Sequence, residues 1–217
     1  MPGSPDAPPD RTWTVVVPVK RLDGAKSRLS TRTAGVRRDL SLAFARDTVA
    51  AAQAAPGVAA VVVVSDDPRV GEAVSQAGAR AVLDASGGGL NDALRVAEAA
   101  VRAEGAGALV ALAGDLPALR PDQLGRALAD AAAHPRAFVP DAAGTGTTML
   151  TAAAGTELDP RFGERSCAAH AASGAVRLSP VDAAGLRRDV DTEVDLWDAL
   201  RLGVGPATAA VLETSNG

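Results

Sequence analysis

The chain has 217 residues, with 22 Lys and Arg against 26 Asp and Glu, a net charge of −4 and an aromatic content of 2%. This length suffices for one independent domain with its own core. Few aromatic residues and a slightly acidic balance exclude the stacking platforms and broad basic surface of a nucleic-acid-binding protein. One cysteine and two histidines exclude a disulfide framework and a cysteine-built metal centre, so any metal ligands must be oxygen atoms.

Residues 1–11 are rich in proline and polar side chains and predict a disordered N-terminal arm. Neither the apolar core of a signal peptide nor about 18 consecutive apolar residues occurs, which predicts a cytoplasmic protein with no membrane partner. No linker or internal repeat divides the remainder, so residues 12–217 are predicted to form a single domain. The sequence is silent on oligomeric state, and a homodimer stays open.

Short apolar runs alternate with helical patterns along the chain. Strands are predicted at 12–18, 59–64, 79–83, 108–113 and 137–140, and helices at 34–55, 68–77, 91–104 and 121–133. Segments 147–152 and 175–178 are candidates for mixed or edge strands, and 164–173 and 192–203 for the last helices. We therefore predict an α/β fold, a Rossmann-like three-layer sandwich whose mostly parallel sheet has helices on both faces.

A basic loop follows the first predicted strand, in the place where open α/β sheets bind ligands. It carries Lys20, Arg21, Lys26 and Arg28. The loop is not a Walker A motif, because Ala25 separates Gly24 from Lys26, and it has no Gly-x-Gly-x-x-Gly pattern. Flexible cations of this kind suit a triphosphate, although a solvated basic loop is the alternative.

Carboxylates occupy two further places that favour a metal ion. Asp115 directly follows the predicted strand 108–113, where it either faces the crevice or begins a turn. In an extended segment, Asp189 and Asp191 point the same way, and such a pair repels unless a cation lies between the two groups. The alternative is that this segment only precedes a helix capped by Thr192.

Three small-residue segments are weaker candidates. Gly87–Asp92 leads into a helix, where Asn91 or Asp92 either caps the helix or reads the edge of a base. Segments 144–148 and 162–166 offer hydroxyl and N–H groups to a ligand, or are simple turns. Cys167, three residues before His170, favours packing over nucleophilic chemistry because no third orienting group is recognisable.

Taken together, several segments resemble one family. They are VPVKRLDGAKSRL at 17–29, GGLNDAL at 88–94, LAGDLP at 112–117, PDAAGTGTTML at 140–150, FGERS at 162–166 and DVDT at 189–192. The resemblance is to the phosphoenolpyruvate and 2-phospho-L-lactate guanylyltransferases of coenzyme F-420 biosynthesis, within the MobA-like nucleotidyltransferase superfamily. It implies a nucleotide-diphospho-sugar transferase-like fold and transfer of GMP from GTP to the phosphate of phosphoenolpyruvate, with release of pyrophosphate.

The resemblance also implies roles for individual residues. Catalytic roles fall to Lys20, Lys26 and Asp115, metal binding to Asp115, Asp189 and Asp191, nucleotide binding to Lys20, Lys26, Arg28 and Asn91, and acceptor binding to Thr147, Thr148, Gly163 and Ser166. The implied cofactor is Mg²⁺, as two ions, and a downstream deazaflavin transferase is a candidate partner.

Alternatives to this assignment stay open at this point. The alternative acceptors are 2-phospho-L-lactate and 3-phosphoglycerate, which differ from phosphoenolpyruvate by a few atoms. A molybdenum-cofactor or sugar-phosphate nucleotidyltransferase would carry a GGxSxRMG loop, which this chain lacks. A non-catalytic GTP-binding regulator is the alternative outside enzymology, and it would need no paired carboxylates.

Overall fold

The computed structural model describes residues 12–23, 26 and 28–215. The predicted N-terminal arm, with Gly24, Ala25 and Ser27 of the basic loop, lies outside the described residues. Within the described part of the chain, the helices all fall short of the length and apolarity needed to cross a membrane.

A seven-stranded sheet forms the centre of the described structure. Its strands are β1 (Trp13–Pro18), β2 (Val58–Ser65), β3 (Arg80–Leu83), β4 (Ala108–Leu112), β5 (Arg136–Pro140), β6 (Thr147–Ala152) and β7 (Val176–Arg177), in the order β3-β2-β1-β4-β6-β5-β7. Strand β6 runs antiparallel to both of its neighbours, and the other recorded pairs are parallel. The sheet is therefore mostly parallel, with one reversed strand inside it.

Helices connect these strands and cover both faces of the sheet. They are α1 (Ala34–Gln53), α2 (Pro68–Gln76), α3 (Leu90–Ala103), α4 (Pro121–Ala131), α5 (Ser166–Ala172), α6 (Ala184–Arg187), α7 (Glu193–Leu202) and α8 (Pro206–Ser215).

Alternate side chains of the central strands enter different cores. Val15 and Val17 of β1 pack in one core with apolar residues of α1, α2 and α4, whereas Val16 packs in a second core with residues of α3. Because both faces are apolar, the strand reads as an uninterrupted β-branched run. The predicted three-layer α/β sandwich is confirmed.

Helices α6 and α8 were not predicted from the sequence. The start of α8 is capped from another element, since Asp47 of α1 accepts hydrogen bonds from the backbone N–H groups of Ala207 and Thr208 at 3.0 and 2.8 Å. A cap supplied by a residue 160 positions away leaves no local signal in the sequence.

Candidate active site

A crevice of about 680 Å³ opens beyond the carboxyl ends of β1 and β4. It is lined by residues 18–21 after β1, residues 113–115 after β4, the start of β6, and the segment that leads into α5. Gly114 allows the first two segments to approach, because a Cβ atom there would lie 2.9 Å from the carbonyl oxygen of Pro18. The predicted position of a ligand site, at the carboxyl edge of the sheet, is thus where the structure has its crevice.

Besides Asp23 of the basic loop, two acidic segments bring carboxylates to this crevice. Asp115 follows β4 directly, and its carbonyl oxygen accepts a hydrogen bond from the N–H of Val190 at 3.1 Å. Val190 is fully buried, while Asp189 and Asp191 on either side of it line the crevice. The predicted alternation of the Asp189–Asp191 segment is confirmed, and one backbone hydrogen bond holds it beside Asp115.

Lys26 is the cation in contact with these carboxylates. Its ammonium group donates one hydrogen bond to the carboxylate of Asp115 and a second to the carboxylate of Asp191 at 2.9 Å. Burial alone would lower the pKa of Lys26, but the two carboxylates outweigh that effect and hold the pKa above its ordinary value. The lysine is therefore charged and ties the basic loop to the acidic segments.

The two aspartates of the 189–191 segment differ in protonation. Burial, followed by the negative charges of Asp115, Asp141 and Asp191, raises the pKa of Asp189 to about 7. Burial also acts to raise the pKa of Asp191, but Lys26 outweighs it and lowers that pKa. Near neutral pH, Asp189 is therefore partly protonated, whereas Asp191 is ionised.

Two of the three remaining basic residues of the loop lie near Asp191, whereas Arg21 pairs with Asp66. Lys20 lines the crevice, and Lys20 and Arg28 are both exposed. Each adds to the lowering of the Asp191 pKa, which places their charges close to that carboxylate. The predicted convergence of the basic loop and the acidic segments is what the structure has.

Carboxylate oxygens at this edge have the donor chemistry that hard divalent cations prefer. The raised pKa of Asp189 fits such an ion, because added positive charge would relieve the repulsion between the carboxylates. The three aspartates are nevertheless not arranged as ready ligands. Among residues 12–23, 26 and 28–215, no group of three His, Cys, Asp or Glu side chains is placed to hold a metal ion.

The crevice is also lined by small and hydroxyl-bearing residues from the start of β6 and the segment before α5, a part of it that we call the acceptor end. Thr147, Gly163 and Ser166 line it, as expected for the acceptor contacts. Thr148 does not, because neighbouring strand residues face opposite sides of the sheet. Its fully buried hydroxyl group lies 3.5 Å from the carbonyl oxygen of Val139. Thr148 therefore lies outside the crevice lining, and its contact with the acceptor stays a prediction.

Asn91 has a different set of contacts from those predicted. Its side-chain amide donates to the carbonyl oxygen of Phe162 at 2.9 Å and accepts from the N–H of Phe162 at 2.8 Å. The N-cap of α3 is Gly89, at φ 93°, with no side-chain hydrogen bond, so neither Asn91 nor Asp92 caps this helix. Asn91 instead anchors the segment that lines the acceptor end, and its role at a base stays a prediction.

The structural interpretations of Thr192 and Cys167, as a helix cap and a packing residue, are confirmed. Thr192 caps α7 in a reciprocal pair with Asp195, directly after the acidic segment. Cys167 is buried in the apolar core beneath α5, as the packing interpretation expects.

Two residues that organise the site were missed from the sequence, and one of them has a partner 68 positions away. Asp141 accepts hydrogen bonds from the N–H groups of Thr145 and Gly146, both at 2.9 Å, and shapes the loop before β6. The hydroxyl group of Thr48, in the middle of α1, accepts from the N–H of Leu116 at 3.0 Å. A polar residue on the buried side of a predicted helix is the signal that could have identified Thr48.

Comparison with solved structures identifies the fold. A candidate nucleotide-diphospho-sugar transferase of Desulfovibrio desulfuricans superimposes with a TM-score of 0.70 at 17% identity, covering 94% of this chain and 95% of that one. A Methanothermobacter nucleotidyl transferase gives 0.60 at 20% identity, covering 94% and 99%. Rv0371c of Mycobacterium tuberculosis, solved in complex with manganese, gives 0.56 at 23% identity, covering 88% and 99%. The fold is that of the nucleotide-diphospho-sugar transferase class.

Sequence comparison is more specific. The family model described as "Guanylyl transferase CofC like" matches residues 13–214, and the chain belongs to this family of guanylyltransferases. The phosphoenolpyruvate guanylyltransferase of Streptomyces coelicolor is 59% identical, covering 92% of this chain and 95% of the relative. That of Geodermatophilus obscurus is 54% identical, covering 93% and 94%.

Thr48 generates a first prediction. Thr48→Val removes the acceptor for the buried N–H of Leu116 and should lower the free energy of unfolding by about 2 kcal/mol, the cost of an unsatisfied buried donor. Thr48→Ser keeps the hydroxyl group and should lose less than half as much. Urea unfolding of both variants measures this, and equal losses would show that the hydrogen bond to Leu116 is not what Thr48 contributes.

Asp189 generates a second prediction, about stability and pH. Its folded pKa of about 7 lies above the ordinary value of 3.8, so its contribution to stability is present below about pH 4 and is lost as the pH rises to about 7. Asp189→Asn removes this loss. In a chelating buffer, the variant should exceed the parent by about 2 kcal/mol at pH 8 and by less at pH 5.

Asp122→Asn is the matched control, because Arg126 lowers the pKa of that exposed carboxylate. Its effect on stability should be small and opposite in sign near neutral pH. A gain for Asp189→Asn that is independent of pH would contradict the raised pKa.

Proposed function

We propose that this guanylyltransferase moves GMP from GTP to the phosphate of phosphoenolpyruvate, giving enolpyruvyl-diphospho-guanosine and pyrophosphate, in coenzyme F-420 biosynthesis. The observation that carries the proposal is a single crevice lined by two chemically different sets of residues. One set combines Asp115, Asp189 and Asp191 with Lys26, and the other is Thr147 with neighbouring small residues. Membership of the family supplies the reaction type, and the relatives' activity supplies the acceptor.

The basic loop binds the phosphates of GTP in this proposal. Lys20, Lys26 and Arg28 lie beside the carboxylates, where their charges stabilise the negative charge that develops on the departing pyrophosphate. Lys26 already contacts Asp115 and Asp191, so it is held at the point where the donor phosphates and the carboxylates meet.

The acceptor phosphate requires no general base. A phosphate monoester loses its second proton with a pKa of about 6, so its oxygen is already a nucleophile near neutral pH. This oxygen attacks the α-phosphorus of GTP, a new P–O–P linkage forms, and the bond to the β-phosphate breaks. Burial lowers the pKa of His170 to about 4, and both of its ring nitrogens have partners, in keeping with a reaction that uses no histidine base.

Asp115, Asp189 and Asp191 would hold the divalent cation, which we propose to be Mg²⁺, as two ions. Such ions neutralise charge between two anionic substrates and orient their oxygens. The donor chemistry and the raised pKa of Asp189 support a divalent cation, as does the manganese of the fold relative. Thr147, Gly163 and Ser166, which line the same crevice, would position the acceptor.

The proposed function also includes a role for Asn91, a single cytoplasmic domain and a downstream enzyme. Asn91 is proposed to contribute to nucleotide binding, as the resemblance implies, in addition to its contacts with Phe162. Residues 12–217 work as one nucleotidyltransferase domain in the cytoplasm. A deazaflavin transferase would consume the product.

Pyrophosphate release tests the acceptor. With GTP and Mg²⁺, phosphoenolpyruvate should give the highest kcat/KM among phosphoenolpyruvate, 2-phospho-L-lactate and 3-phosphoglycerate, because the closely similar relatives act on it. A different best acceptor would change the substrate assignment alone. GTP binding without pyrophosphate release in any of the three assays would instead favour a regulator.

Carboxylate variants test the acidic segments. Asp189→Ala and Asp191→Ala should each lower kcat at least about 100-fold while the folded structure persists, because catalysis of phosphoryl transfer is mainly charge neutralisation and positioning. Asp122→Ala, on the exposed face of α4, is the control and should keep parental activity. Parental kcat in both acidic-segment variants would remove their assignment to the metal.

A further inference from the structure

His170 is fully buried and has no role in the reaction described above. It lies in α5. Its ring and the ring of Phe162 form an edge-to-face pair, with a centroid distance of 5.0 Å and an interplanar angle of 74°. Phe138 of β5 lies on another side, at 5.9 Å. The ring is therefore held between the sheet and the segment that lines the acceptor end.

The hydrogen bonds of the ring define its tautomer. The backbone N–H of Arg161 donates to Nε2 of His170 at 3.0 Å, and a ring nitrogen that accepts carries no proton. In the neutral ring the proton is then on Nδ1, which lies 3.0 Å from the hydroxyl oxygen of Thr147. Nδ1–H therefore donates to Thr147. Burial and the charge of Arg136 lower the pKa of His170 to about 4, which keeps the ring neutral.

This donation determines what the Thr147 hydroxyl group can do. Its oxygen accepts from His170, so its own hydrogen is left for a second partner. Within the described part of the chain, His170 is the partner of this hydroxyl group. Thr147 lines the crevice beside Gly163 and Ser166, so an anion there is the acceptor that this hydrogen can meet.

The same ring also connects the two walls of the acceptor end. Through Arg161 it holds the backbone next to Phe162 and Gly163, while Asn91 holds Phe162 from α3. Thr147 belongs to β6, on the other wall. One buried ring thus fixes both the hydroxyl group and the spacing between the strand and the segment that face the acceptor.

We propose that His170 is a positioning residue that fixes the hydroxyl group of Thr147 as a hydrogen-bond donor to the phosphate of the acceptor substrate. The inference rests on the proposed function, because it takes that phosphate as the anion in the crevice. His170 itself does not touch the substrate and transfers no proton to it.

Two substitutions separate the two hydrogen bonds of the ring. The amide nitrogen of Asn can replace Nδ1, so His170→Asn keeps a donor to Thr147, whereas the amide oxygen of Gln can replace Nε2, so His170→Gln keeps only the acceptor for Arg161. His170→Gln should raise the KM for phosphoenolpyruvate about tenfold, with the KM for GTP changed less than about twofold. His170→Asn should raise the acceptor KM less than about threefold.

A double-mutant cycle removes the purely structural explanation. In the Thr147→Val background, which has no hydroxyl group to orient, adding His170→Gln should change the acceptor KM less than about twofold. The same tenfold increase in both backgrounds would overturn the proposal, because it would show that His170 acts on the fold and not through Thr147. Equal acceptor KM values for the Gln and Asn variants would also overturn it.

Nitrogen-15 NMR of histidine-labelled parental protein gives a test independent of activity and of variant folding. The spectrum should show His170 neutral and protonated at Nδ1 through the range from about pH 6 to pH 8, with His134 as the internal comparison. A proton on Nε2 would overturn the proposal. Parental protein that releases no pyrophosphate with phosphoenolpyruvate would overturn the proposed function and leave the tautomer to be decided by the spectrum.

Discussion

Repulsion between carboxylates at the carboxyl edge of the sheet is the constraint on which the rest of the site depends. Asp115, Asp189 and Asp191 are brought into one partly buried crevice, where charges interact more strongly than in water. Lys26 offsets the charge of two of them, and the pKa of Asp189 remains raised. Added cations would therefore stabilise the three carboxylates. Lys26 of the basic loop is one cation that already contacts two of them.

Backbone contacts hold these charged groups in place without using the charges themselves. The carbonyl oxygen of Asp115 bonds to the N–H of Val190, and the N–H of Leu116 bonds to Thr48 of α1. Gly114 lets the chain after β4 pass close to the end of β1. Neutral groups thus position the acidic segments, while the ion pairs of Lys26 with Asp115 and Asp191 tie the basic loop to them.

Local patterns predicted most of the fold but only part of the site. The alternation of Asp189 and Asp191 about Val190 followed from strand geometry, since that needs no knowledge of a partner. The choice between Thr147 and Thr148 depends on which face of β6 meets the crevice, and strand pairing decides that. Thr48 was missed because its partner lies 68 positions away, a contact created by the tertiary fold.

The reversed direction of β6 has a consequence for how such a site can diversify. In a parallel sheet, side chains at the amino ends of strands lie on the edge opposite the ligand, but Thr147, at the amino end of β6, lies on the ligand edge. The first residue of an antiparallel strand thereby lines the crevice, a place that the first residue of a parallel strand does not reach. In the proposed function, GTP binds to loops that follow parallel strands and the acceptor contacts Thr147 of the reversed strand, so substitutions on β6 should alter the acceptor contact without altering the loops that bind GTP.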